Sequence, residues 1–274
     1  MLRDITIGQY FPGESLIHRL DPRFKIVMTL VYIIMLFTGS SIFCLALGAV
    51  YTILAVTLSK IPAKMFFKSL KPLLPFLILT ALLNVLFLDG GDVYFKWKFI
   101  EITEDGVRTS VFMIIRIVLL IIGSSLLTYT TSPITLTDAI ERLLSPLKKI
   151  KVPVHELAMM MSIALRFIPT LIEETDKIMS AQKARGAEID SGSFMTRAKN
   201  MISILVPLFI SSFRRADELA TAMECRCYRG GDGRTRLRQL KSAARDYIAL
   251  TVTLAFLAGT IVLNILLKHL GIMY

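Results

Sequence analysis

The sequence predicts an all-α membrane protein: about five transmembrane helices, a short interfacial helix and two long amphipathic helices on the cytoplasmic side. Three observations carry this. The chain is 54% hydrophobic and 19% charged, against about 45–50% and about 25% in an ordinary soluble domain, and its mean hydropathy is +0.62. The apolar residues are gathered into runs of spanning length. The remaining charge, 32 Lys+Arg against 21 Asp+Glu for a net of +11, is gathered between those runs, so a basic part faces water. This composition excludes a disordered, collagenous or disulfide-scaffold chain. The three cysteines, Cys44, Cys225 and Cys227, have no repeated spacing and give no disulfide framework. The first 24 residues are polar and mixed in charge, without the short apolar core and small-residue site of a signal peptide. The first apolar run is therefore expected to be kept as a span.

A span takes roughly 17–25 mostly apolar residues. Residues 26–37 are apolar, Thr38-Gly39-Ser40-Ser41 interrupts, and residues 42–58 are apolar again. That pattern fits two short spans joined by a tight turn. Asp21-Pro22 starts the first helix early, because Asp caps free N–H groups and Pro suits the first helical position. Residues 72–88, 107–130 and 247–267 make the third, fourth and fifth spans. Lys60, Lys64, Lys68 and Lys71 follow the second span with no acid among them. After the third span, Asp89, Asp92, Glu101, Glu104 and Asp105 outweigh Lys96 and Lys98. By the bias of Lys and Arg toward the cytoplasm, the N-terminus and the lysine loop lie inside and the acidic loop outside. Five spans then leave residues 131–244 in the cytoplasm and the C-terminus outside. Residues 131–244 hold 18 Lys/Arg and 12 Asp/Glu, a net of +6, so this assignment satisfies the rule. The expected setting is a multi-pass protein of the cell membrane.

The outer loop reads Tyr94-Phe95-Lys96-Trp97-Lys98-Phe99. Its alternation predicts a short strand, in a hairpin closed by Asp89-Gly90-Gly91-Asp92, with the aromatics at headgroup level. The aspartates read as turn residues and no metal is expected, since hard cations want more oxygen ligands. Arg116 is the one clear charge inside a span and is a functional candidate on that ground; it also fits a shorter, shifted helix. Gly123-Ser124-Ser125 and the stripe Thr251, Ala255, Gly259 are small residues that let helices approach closely, and are expected to pack within the chain.

In the middle region, Thr135-x-x-Asp138 reads as a helix start, with Leu136, Ile140, Leu143 and Leu144 on one face. Ser145-Pro146 ends it. Lys148, Lys149 and Lys151 follow as lipid-headgroup contacts, so this is the interfacial helix. A long segment then opens at Val152-Pro153-Val154-His155-Glu156 and is apolar at helical spacing through Leu157, Met160, Ala164, Leu165, Ile168 and Leu171. It ends at Ala184-Arg185-Gly186. A second runs from about Lys199 to Cys225-Arg226-Cys227, with Gly230-Gly231 just beyond as the stop. The apolar run between Glu156 and Glu173 is 16 residues with Arg166 inside it, and the run 201–213 is 13 residues. Both are short for a span, and two long apolar helices at the bilayer surface are the better fit.

The two long segments form a weak internal repeat. Asp176 precedes Arg185 by nine residues and Asp217 precedes Arg226 by nine; Ala181 and Ala222 align at the same 41-residue offset. Pro169 and Pro207 predict a kink or interruption in each. At the repeat offset Glu173-Glu174 falls opposite Arg214-Arg215, so the pairs are expected to hold a crossing of the two helices. Small neighbours let the backbone at each arginine approach a partner, and a guanidinium binds carboxylates in bidentate fashion.

These residues resemble the transmembrane (T) component of energy-coupling factor transporters, importers of vitamins and of nickel or cobalt ions, over essentially the whole chain. His18-Arg19-Leu20-Asp21-Pro22-Arg23-Phe24-Lys25 is similar to the family's lead-in to its first span. Ser162-Ile163-Ala164-Leu165-Arg166-Phe167-Ile168-Pro169 and Gln182-Lys183-Ala184-Arg185-Gly186 are similar to the first coupling helix. Val206-Pro207-Leu208-Phe209-Ile210-Ser211, Arg214-Arg215-Ala216-Asp217-Glu218-Leu219-Ala220 and Ala222-Met223-Glu224 resemble the second. The resemblance implies two crossed coupling helices in residues 131–244, each ending in a short X-Arg-X motif that docks on one of two cytoplasmic ATP-binding subunits. The first motif matches as Ala184, Arg185 and Gly186. The second departs, reading Cys225, Arg226 and Cys227, with the arginine kept between small residues. It further implies that ATP-driven motion passes through these helices to a membrane-embedded substrate-binding subunit. The division that follows is a cytoplasmic N-terminal segment (1–20), transmembrane helices one to four (21–130), the cytoplasmic coupling region (131–244), and the last span with an outer C-terminus (245–274).

Other classes fit less well. A stand-alone secondary transporter shows inverted repeats and polar sites at the midplane, whereas this repeat is cytoplasmic. An embedded enzyme needs a catalytic cluster at one depth, and His18, His155 and His269 are scattered. The chain has no Gly-x-x-x-x-Gly-Lys-Ser/Thr phosphate loop and no His-Glu-x-x-His motif, so it is not itself the ATPase, and no catalytic residue or cofactor is expected. Its basic charge is explained by membrane topology, not by nucleic acid.

Overall fold

The computed structural model describes residues 10–88, 90, 93–97, 100–187, 193–230 and 240–269. The chain forms two compact units, one of Gln9–Leu136 with Leu240–Tyr274 and one of Thr137–Gln239 with Met1–Gly8.

The first unit is a helical bundle. α1 (Pro22–Thr38) starts where expected: the Asp21 carboxylate accepts from the Arg23 N–H at 2.9 Å and Pro22 takes the first position. α1 ends at Gly39, and its last carbonyls are satisfied from other helices. Arg116 Nη2 donates to the Gly39 carbonyl at 2.6 Å, and Asn264 Nδ2 to that of Thr38 at 3.2 Å. The Arg116 guanidinium also lies 4.6 Å from the Phe112 ring centre. Arg116, the charge inside an apolar run, thus caps the end of α1. α2 (Ile42–Ser59) follows. α3 (Ala63–Leu70), a 3-10 turn (Lys71–Leu73) and α4 (Leu74–Phe87) make one nearly continuous helical run, beginning well before residue 72. β1 (Val93–Trp97) pairs antiparallel with β2 (Ile100–Thr103), so the strand pairs forward rather than across residues 89–92. Asp89, Asp92, Phe99 and the side chains of β1 lie outside the described residues. α5 (Glu104–Thr130) is capped by Thr103, whose hydroxyl accepts from the Gly106 N–H at 3.2 Å. α9 (Ala244–His269) completes the unit.

Tyr32 organises the core. It is 2% exposed and clusters with Met35, Leu36, Leu45 and Leu119. Its hydroxyl is 2.8 Å from the Leu119 carbonyl and 2.7 Å from Thr52 Oγ1, so α1 is tied to α5 and α2. Gly123 makes this possible, because a Cβ there would sit 2.2 Å from the Tyr32 ring. Within α9 the packing stripe is Thr253 and Thr260, both buried; Thr251 and Ala255 of the expected stripe are exposed.

The second unit holds the rest of α6 (Pro133–Leu144), a 3-10 turn (Ser145–Ile150), α7 (Val154–Ala184) and α8 (Phe194–Cys225). α6 starts earlier than Thr135, because Ser132 Oγ accepts the Thr135 N–H at 3.4 Å. His155 Nδ1 lies 3.0 Å from Glu141 Oε1, joining α7 to α6. α7 and α8 run unbroken through Pro169 and Pro207, and α8 begins five residues before Lys199.

Among the described residues, five helical runs are long and apolar enough to cross a membrane: α2, α3–α4, α5, α7 and α9. α7 joins them against expectation. The 16-residue count stopped at flanking glutamates, whereas the 31-residue helix provides a longer window that tolerates a few charges; that window is the least apolar of the five. α1, at 17 residues, sits at the short limit for a span.

Candidate functional site

The repeat read from the sequence reappears as backbone geometry at the ends of α7 and α8. Arg185 caps α7 and Arg226 caps α8. The next residue turns left-handed in both, with φ +84° at Gly186 and +56° at Cys227. The Gly186 N–H donates to the Lys183 carbonyl and the Ala187 N–H to that of Gln182, both at 3.0 Å. At the other end the Cys227 N–H donates to the Glu224 carbonyl at 2.8 Å and the Tyr228 N–H to that of Met223 at 3.0 Å. Each bond has its counterpart at the same 41-residue offset. This is a Schellman-type helix end, which satisfies carbonyls that the helix itself leaves free. The stop at α8 is therefore Cys227 and not Gly230-Gly231.

Ala184, Arg185 and Gly186 are exposed, as are Cys225, Arg226 and Cys227. Among the described residues neither guanidinium has an ion-pair or hydrogen-bond partner. Two free cations thus stand at the C-terminal ends of long helices, where the helix dipole favours positive charge. The three cysteines are free thiols, and no group of metal-ligating side chains occurs among the described residues.

Of the four residues expected to hold the helix crossing, the structure brings two together. Arg215 Nη2 donates to Glu174 Oε2 at 2.6 Å, and the Ser211 hydroxyl donates to Glu174 Oε1 at 3.3 Å. Glu173 and Arg214 are exposed and have no ion-pair partner among the described residues. Gln182 Nε2 donates to the Ser203 carbonyl at 3.1 Å. The contacts 174–211 and 182–203 lie eight residues apart on each helix, in opposite order, so the two chains run in opposed directions.

Sequence reasoning missed a polar knot in the first unit. Asp246, 1% exposed, accepts the Asp21 N–H at 2.9 Å on Oδ1 and the Ala243 N–H at 2.7 Å on Oδ2. It joins the starts of α1 and α9. Lys25, 4% exposed, donates to the Thr130 carbonyl at 2.9 Å and to Thr131 Oγ1 at 3.3 Å, closing the end of α5. His18 Nε2 lies 3.0 Å from the Phe11 carbonyl and Nδ1 lies 2.6 Å from the Ser15 hydroxyl. A carbonyl only accepts, so Nε2 carries the proton and Nδ1 accepts from Ser15 in the neutral ring. Burial lowers the His18 pKa below its ordinary value. The available signal was a charged Asp and Lys at the edges of apolar runs, where unpaired charges are costly.

The apolar helical runs and the capped bundle define a multi-pass, all-α membrane protein carrying a pair of arginine-ended helices. Residues 13–237 match the cobalt transport protein family, CbiQ. The chain belongs to this family and is a transmembrane component of the energy-coupling factor transporter type. It is 58% identical over 251 residues to the energy-coupling factor transporter transmembrane protein EcfT of Clostridium kluyveri, covering 91% of this chain and 93% of that one. The protein of the same name from Ruminiclostridium cellulolyticum is 53% identical over 264 residues, covering 96% and 98%. That from Bacillus subtilis is 46% identical over 259 residues, covering 94% and 97%.

Proposed function

We propose that this chain is the non-catalytic coupling subunit of an energy-coupling factor importer, carrying the motion of two cytoplasmic ATP-binding subunits to a membrane-embedded substrate-binding subunit. The observation that carries the reading is the duplicated helix end: two exposed arginines, each presented by the same hydrogen-bonded turn at the same repeat offset. Two equivalent plugs suit two equivalent sockets. Arg185 and Arg226 each bind carboxylates on one ATP-binding subunit, and the flanking Ala184, Gly186, Cys225 and Cys227 admit close backbone approach. Glu174 and Arg215 hold α7 to α8, so a displacement at one arginine reaches the other. The exposed apolar side chains of α8, among them Leu205, Phe209 and Phe213, carry the substrate-binding subunit.

In this reading residues 131–244 and the N-terminus are cytoplasmic and the C-terminus is outside, as the Lys/Arg bias requires. α7 lies along the bilayer surface; its apolar window is the weakest of the five and Arg166 interrupts it. The test is co-purification of the tagged chain from mild detergent, beside an Arg185→Glu, Arg226→Glu variant. The wild type should bring two ATP-binding subunits and a small membrane protein. The double variant should lose the ATP-binding subunits and keep the membrane protein. Retention of the ATP-binding subunits by the double variant overturns the docking assignment.

A further inference from the structure

The first unit contains a cavity of about 360 Å³, within the range of small-molecule sites, walled by α1, α2, α5 and α9. It runs from the level of Lys25 and Arg245, near the starts of α1 and α9, inward to Tyr32, Tyr51 and Thr253. Seven or eight residues of helix separate those levels, a depth of about 10–12 Å at 1.5 Å per residue.

The wall decides what fits. Its hydroxyls are already bonded to the protein: Thr29 to the Lys25 carbonyl, Thr52 to that of Gly48, Thr253 to that of Ala249, and Tyr51 to Thr253. Lys25 is turned onto the end of α5. These hydroxyls have no O–H left to donate to a ligand, and the rest of the lining is almost wholly apolar, so the occupant is hydrocarbon. The mouth is lined by Leu58, Ile248 and Val252, which are 42%, 63% and 40% exposed. On spanning helices, side chains this exposed face the bilayer, where lipid is the solvent. The rim is different in kind. Arg245 is exposed, lines the cavity, and has no hydrogen-bond or ion-pair partner among the described residues. It stands in the first turn of α9, where the helix dipole disfavours a cation, so an anion beside it is stabilised twice over.

We infer that this cavity holds one acyl chain of an anionic phospholipid, whose headgroup phosphate sits on Arg245. The complementarity is that of an amphiphile: a dry apolar trough with a single free cation at its mouth. The lipid fills the space between α1 and α9 above the polar knot.

The experiment places the full chain in bilayers of equimolar phosphatidylglycerol and phosphatidylcholine, extracts it in mild detergent, and counts retained lipid by native mass spectrometry. The wild type should keep one phosphatidylglycerol. Arg245→Gln, a surface change that spares the core, should lower the preference for phosphatidylglycerol about fivefold, the worth of one basic residue near an anionic surface. Ala249→Phe, and from the opposite wall Ala55→Phe, should fill the trough and remove the retained lipid of either kind. The inference is overturned if Arg245→Gln leaves the preference unchanged. It is also overturned if both filled variants keep the lipid, or if a photoreactive residue at position 252 labels a protein subunit rather than phospholipid in native membranes.

Discussion

Cys227 occupies a backbone conformation, φ +56°, in which a Cβ crowds the following carbonyl. Its counterpart Gly186 holds φ +84° with open space around it. The same turn is therefore built twice, once with strain and once without. Cys227→Gly should stabilise the end of α8 by about 1 kcal/mol, and Gly186→Ala should weaken the end of α7 by about as much. Amide hydrogen exchange at Tyr228 and Ala187 reads both, slowing in the first and quickening in the second. His18 gives the residue-scale pH dependence. Burial holds its folded pKa below the ordinary 6.5, with Lys25 adding to the effect, so the unfolded chain binds the proton more readily. Above pH 6.5 the ring is neutral in both states and contributes nothing. As pH falls from there toward the lowered folded value, stability is lost. Protonation also places a hydrogen on Nδ1, against the Ser15 hydroxyl that donates to it. The melting temperature in detergent should drop between pH 7.5 and about pH 5, and the drop should be smaller in His18→Gln.

Among the elements, α7 and α8 act as a pair because one ion pair and two side-chain contacts tie them. Arg215→Glu should let the helices part, and Glu174→Arg in the same chain should bring them back. Arg214→Glu should do neither. Spin labels on the two helices report the distance directly; equal effects from Arg214→Glu and Arg215→Glu would remove Glu174 as the fastening point. The helices were legible in the sequence because spans and amphipathic faces are written in local hydropathy, and the 41-residue repeat exposed both arginines. The 174–215 partnership was legible from the same offset, but not which of two adjacent carboxylates takes part, since that depends on helix rotation. The start of α6 at Pro133 was missed because a serine cap one residue earlier outcompetes Thr135. That α7 is long and apolar enough for a span was not read from the sequence, because the count stopped at flanking glutamates while the 31-residue helix offers a longer window. Arg116 and Gly123 were singled out in the sequence, but their partners, the Gly39 carbonyl and the Tyr32 ring, are tertiary facts with no local signature.

At the scale of the whole molecule, the starts of the first and last helices share a buried carboxylate. Asp246→Ala would leave the N–H groups of Asp21 and Ala243 without their partner, at about 1–3 kcal/mol each. The thermal midpoint of the detergent-solubilised chain should fall by several degrees; a change within error would mean that water replaces the carboxylate. The same contact joins residues 225 positions apart, and that separation has a consequence for biogenesis. At roughly 5–20 residues per second, α1 waits on the order of 10–45 s in the bilayer before Asp246 leaves the ribosome. During that interval the Asp21 N–H lacks its final acceptor, whereas Lys25 meets the Thr130 carbonyl 105 residues on; the start of α1 must until then remain at the headgroup surface, where charged groups stay hydrated. A ribosome stalled before residue 244 therefore leaves a chain whose first described helix is held by α2 and α5 but still lacks its tie to α9, and whose start is open to membrane quality control.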